Sequence, residues 1–177
     1  MAGALRTVLA DVSEYHELDG LRLAVEVKPV NLAVGRAVWN RFGDIRAFAV
    51  NLHLKFPFAV VGGVLVIPTY EVTKKGAQKP TAHLIARTIS RLVRAGRRRN
   101  ESEAAHLLEG IGVIVYDPSA GQIETSMPPQ QSGLRWEEFI AHLVEAYDTR
   151  FGEGVGASVI ESAEEEEEEE EEETEEE

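Results

Sequence analysis

The sequence predicts an α/β chain, strands alternating with helices, and three observations carry that expectation. A Val-rich run, Phe58–Ile67, lies between Pro57 and Pro68. Apolar residues recur at helical spacing from Leu32 to Lys55. An Asp19-Gly20 pair separates two segments of strand character. Such alternation gives a sheet, α/β or α+β, covered by helices.

Asp-Gly between strands is a strong two-residue turn signal, so strand one is expected over Val8–Leu18 and strand two over Leu21–Lys28. Pro29 ends the second strand because it has no N–H for a central ladder. Val38, Trp39, Phe42, Ile45, Phe48, Ala49 and Leu52 mark the inner stripe of helix 32–55. Phe58–Ile67 reads as a strand buried on both faces, with Gly62-Gly63 admitting a close neighbour. A polar, Lys-bearing loop is expected over Glu71–Pro80, then a second helix over Thr81–Gly96 with Ile85, Ile89, Leu92 and Val93 inward.

Asn100-Glu-Ser-Glu resembles a helix start leading to Leu107-Leu108. Gly112–Asp117 reads as another buried strand, turning at Pro118–Gly121 into Gln122–Thr125. After a Pro/Gln/Ser linker, a last helix over Leu134–Tyr147 is expected to bury Trp136, Phe139, Ile140, Leu143 and Tyr147. One folded domain, 1–152, and a disordered poly-Glu tail, 153–177, follow from this reading.

The net charge of −13 is concentrated in that tail. Residues 161–177 hold 14 of the 31 acidic residues and no base, leaving 17 acids against 18 bases in the first 160 residues. There is no cysteine, which excludes disulfides, thiolate metal sites and thiol nucleophiles. The histidines at 16, 53, 83, 106 and 142 have no metal-ligand spacing. No phosphate loop and no nucleophile elbow occurs. The longest apolar run is too short for a membrane-spanning helix, and no signal core opens the chain, so a cytoplasmic location is expected.

Two charges sit where burial is expected. Side chains two apart on a strand share a face, so Glu26 and Lys28 point the same way from an otherwise apolar strand. A two-residue turn would place Asp11 opposite Lys28 and diagonal to Glu26. Two carboxylates at that separation suit one hard divalent cation such as Mg²⁺. The bland alternative is a mutual Glu26–Lys28 ion pair on a half-exposed strand.

Asp11, fourteen residues, then Glu26-Val27-Lys28 resembles the PD-(D/E)XK nuclease superfamily, with Ala10 where the signature often has Pro. That resemblance covers roughly residues 7–117: an Asp on one strand of a hairpin, (D/E)xK on the next, then a helix, a strand and a helix. It implies a restriction endonuclease-like mixed sheet flanked by helices. It implies Asp11 and Glu26 as ligands of Mg²⁺ or Mn²⁺, and Lys28 as the catalytic lysine beside them. The implied activity is hydrolysis of phosphodiester bonds in double-stranded DNA, commonly by a homodimer. A turn Asp, Asp19, is the alternative ligand but fits a hairpin less well.

Half of all Lys and Arg falls between Glu71 and Arg99. Arg87, Arg91, Arg94 and Arg98 recur at intervals of four, three and four, one stripe of the second helix suited to spaced backbone phosphates. A solvated basic face that meets the acidic tail is the other reading. Asn40, Arg41, Asp44 and Arg46 are further polar residues near the expected site.

Overall fold

The computed structural model describes residues 3–152; the poly-Glu tail lies outside the described residues. A five-stranded sheet is ordered β1(Val12–His16), β2(Gly20–Pro29), β3(Val60–Pro68), β6(Gly110–Asp117), β7(Gln122–Ile123). β2, β3 and β6 run parallel, and the two edge strands pair antiparallel with their neighbours. The central strands are buried on both faces, as parallel strands require, which is why β3 reads as an unbroken apolar run.

Two helices, α1(Val34–His53) and α2(Ala82–Leu92), cover one face. Val38, Ile45, Phe48, Ile85 and Ile89 meet Ala24, Val61, Leu65 and Val113 there. A third helix, α3, occupies 136–152 and closes the other face, with Phe139 and Leu143 against Val25, Val60 and Val64. Gly62, Gly110 and Gly112 form a trough for the Phe139 ring; a Cβ at any of them would sit 3.0 to 3.2 Å from it. No helix among the described residues is long and apolar enough to cross a membrane.

Several boundaries differ from the sequence expectation. β1 begins at Val12, not Val8. The backbone of residues 4–6 is satisfied by α1 instead of a strand partner: Ala4 N–H donates to the Asn51 carbonyl, and Leu5 and Arg6 N–H donate to Asn51 Oδ1. The hairpin tip is Glu17-Leu18-Asp19, with Gly20 at φ +77° opening β2. Three-residue loops that end on a left-handed Gly are a recognised hairpin type. Asp19 is drawn back to Arg22, whose Nε donates to Oδ2 at 2.8 Å.

The 71–80 segment is a small hairpin, β4(Tyr70–Val72) and β5(Gln78–Pro80), turning at Gly76. Its Glu71 has a task in the fold. Ala33, at the start of α1, offers no side-chain cap, and Glu71 Oε2 accepts the Val34 N–H at 2.8 Å instead. A carboxylate there also suits the positive end of the helix.

No helix forms over 100–108. Asn100 Oδ1 captures the Ser102 N–H, and Arg98 captures the Glu101 carbonyl, so side chains use the groups a helix would need. α3 leaves Trp136 50% and Ile140 39% exposed, where burial was expected. Only the Phe139 and Leu143 side of the helix reaches the sheet.

Candidate active site

On β2, Ala24, Glu26 and Lys28 alternate towards the α1 face, and Ala24 belongs to the core beneath that helix. Glu26 is only 8% exposed. Its Oε1 is ion-paired with Lys28 Nζ. Its Oε2 is buried and has no hydrogen-bond partner. A buried oxygen of a carboxylate is expensive to leave unpaired, so this atom is the feature of the site that asks for a ligand.

Asp11 comes to the same rung, though not by the expected register. Val12 pairs with Val25 and Ser13 with Ala24, and a bulge follows between Glu14 and Tyr15. The three-residue loop pairs His16 with Gly20, three positions short of the expected register, and the extra β2 residue, Arg22, restores only one of them. Asp11 therefore lies beside Glu26, not opposite Lys28. Its N–H donates to the Val25 carbonyl at 3.0 Å, and its Oδ2 accepts the Val27 N–H at 2.6 Å. The two bonds bracket Glu26 and fix the Asp11 carboxylate at the end of β1.

The helix above adds a third acid. Burial raises the Glu26 carboxyl above its ordinary range; Lys28 works against that, while the charges of Asp11 and Asp44 add to it. Asp44, on α1, is half-exposed and paired with Arg41 at 2.9 Å. Asn40 and Arg46 lie on the same helix. Asp19 takes no part in this cluster, being held at the hairpin tip by Arg22 and His16.

The donor set fits a hard divalent cation: two carboxylates, one with an orphaned buried oxygen. Mg²⁺ is commonly held by one or two carboxylates with waters completing its octahedron. Among the described residues no group of three or more His, Cys, Asp or Glu is arranged to hold a metal. A cation here would therefore depend on Asp11, Glu26 and water.

The four-arginine stripe is broken. α2 stops at Leu92, and Gly96 at φ +73° turns the chain away. Arg87, Arg91 and Arg94 remain exposed. The Arg91 guanidinium lies 4.8 Å from the Trp39 ring centroid on α1, and Arg94 Nε donates to the Ser90 carbonyl. Arg98 is only 3% exposed and serves the interior.

What Arg98 serves is a cluster that sequence reasoning missed. Glu109, 1% exposed and immediately before β6, accepts from Arg98 Nη1 at 3.2 Å, Arg150 Nη2 at 2.8 Å and the Val61 N–H at 2.8 Å. His53 Nε2 lies 3.2 Å from its Oε2. Burial pushes this carboxyl up, but the hydrogen bond and charge of His53, the Val61 N–H and Arg150 outweigh it and hold it below the ordinary range. One carboxylate thus joins α1, β3, β6, α3 and the segment after α2. The only local signal was an acid between Leu107-Leu108 and Gly110-Ile111, the kind of placement that singled out Glu26.

No family model, no curated protein and no solved structure matches this chain.

Proposed function

We propose that the chain is a metal-dependent deoxyribonuclease of restriction endonuclease-like architecture. What supports this reading is Asp11 beside Glu26 on the β1–β2 hairpin, with Lys28 two residues further along β2 and ion-paired to Glu26, and Glu26 Oε2 buried and unpartnered. The order of elements supports it: hairpin, α1, β3, α2, β6. That order resembles the core of the PD-(D/E)XK superfamily.

Each residue has a role in that reading. Asp11 and Glu26 hold the ion between an exposed and a buried carboxylate. The chemistry supplied there by bound Mg²⁺ or Mn²⁺ is polarisation of a phosphoryl oxygen and acidification of a water. Lys28, tethered to Glu26, orients the attacking water and offsets charge developing on the phosphate. Arg87, Arg91 and Arg94 supply phosphate contacts along the duplex. Arg91 is braced on Trp39 of α1, the helix that also carries Asp44.

A specific observation favours a second reading. Lys28 and Glu26 already neutralise each other, as in a non-catalytic member of the same fold that binds nucleic acid or a protein partner. Supercoiled plasmid incubated with the protein and Mg²⁺ separates the two. Nicking or linearisation that disappears in Glu26→Ala, with DNA binding retained, supports the nuclease. Binding without any cleavage favours the second reading.

A further inference from the structure

A cavity of about 320 Å³ lies between α3 and the segment after α2. Its wall holds three consecutive arginines, Arg97, Arg98 and Arg99, together with His142. Two carboxylates, Glu109 and Glu145, face them. Each meets one arginine of the wall, Glu109 with Arg98 and Glu145 with Arg97, which leaves the Arg99 guanidinium without a carboxylate among the described residues. Glu109 Oε1 is already shared by Arg98 and Arg150. Glu145 stands 3.7 Å from Arg97, beyond the length of a charge-assisted hydrogen bond.

Two nitrogens of that wall lack a partner. Arg98 donates to the Pro57 and Glu101 carbonyls and to Glu109, yet its Nε is buried with no acceptor. His142 Nδ1 is likewise buried with no partner. Buried polar atoms are nearly always paired; the Arg98 Nε–H calls for an acceptor that the chain does not supply, while His142 Nδ1 donates or accepts according to its tautomer. Among the described residues the Arg99 guanidinium has no recorded acceptor either. A second cavity of about 220 Å³ shares Arg97, Arg99 and His142, and its far wall is apolar: Leu92, Val93 and Leu134.

We propose that these joined cavities bind a small phosphate-bearing molecule. Its phosphate lies against Arg97, Arg98, Arg99 and His142, and its uncharged remainder reaches towards Leu92, Val93 and Leu134. A tetrahedral phosphate can accept from several guanidinium forks at once, where a carboxylate offers only two oxygens. The apolar annexe distinguishes a phosphate ester from the bare ion. This inference does not rest on the nuclease reading.

Calorimetric titration of the full chain at constant ionic strength tests it, with phenyl phosphate, inorganic phosphate and a short DNA duplex as the three probes. Phenyl phosphate should bind saturably and more tightly than inorganic phosphate. The double variant Arg97→Gln/Arg99→Gln, both positions at the cavity mouth, should weaken it at least tenfold. Lys74→Gln/Lys75→Gln, which removes the same charge from the β4–β5 turn, should leave it unchanged. The proposal is overturned if phenyl phosphate does not bind, or if both double variants weaken it equally. Binding of duplex alone, with no small phosphate bound, overturns it too, since the arginines would then serve a nucleic acid backbone.

Discussion

Glu26 on β2 lies in register with Gly63 on β3, and a Cβ at Gly63 would stand 2.2 Å from Ile45 Cγ2 on α1. The missing side chain lets α1 press onto the sheet at the very rung that carries Glu26. It also brings Asp44, the residue before Ile45, close enough to act on the Glu26 carboxyl. Burial, orphaned oxygen and neighbouring acid are thus consequences of one close helix–sheet approach.

Gly63→Ala should therefore injure stability and site together. Forcing a methyl into this contact should cost about 1 to 3 kcal/mol, measured by urea unfolding, and should reduce plasmid cleavage. A variant as stable and active as wild type would mean that α1 does not set the geometry of Glu26.

Glu26 itself should work against stability at neutral pH. Its carboxyl is raised by burial, so the folded state holds that proton more tightly than the unfolded chain does. The stability contributed is complete below the ordinary glutamate range and is lost as pH rises through the raised value. Glu26→Gln avoids that loss. It should exceed wild type in stability above this window, with cleavage abolished, and should match wild type in acid. Lower stability of the variant at neutral pH would show that the Lys28 pair outweighs burial.

Glu109 carries the opposite sign. Its lowered carboxyl contributes stability that is present above the ordinary glutamate range and lost as pH falls through the folded value. Removing one partner from a buried charge cluster is costly, so Glu109→Gln should destabilise the fold by about 3 kcal/mol at neutral pH. The variant should also lose stability less steeply in acid. Denaturation midpoints measured across the acid range check both effects, and unchanged midpoints would contradict the clamp.

Those elements whose signal is local and periodic were legible in the sequence. α1, β3, α2 and β6 lie within a few residues of where spacing placed them. The hairpin was legible too, but not its register. Asp19-Gly20 reads as a two-residue turn, whereas the loop is Glu17-Leu18-Asp19 with His16 paired to Gly20; that earlier turn, only partly offset by the extra residue Arg22, moves Asp11 from Lys28 to Glu26. Arg98 was misplaced because helical spacing was carried past Leu92, where the helix stops. The Glu109 cluster left no spacing to read, because its partners His53, Arg98 and Arg150 come from three distant segments. Asp44 drew notice only as a polar residue; its nearness to Glu26 depends on Gly63, a contact across the sheet.

The central claim is that Asp11 and Glu26 hold one divalent cation jointly. Calorimetric titration of Mn²⁺ into wild type, Asp11→Asn and Glu26→Gln tests it without reference to cleavage. The account predicts one site in wild type, weakened at least tenfold, about 1.4 kcal/mol, by either substitution alone. Equal affinity in all three proteins, or no binding by wild type, would contradict it.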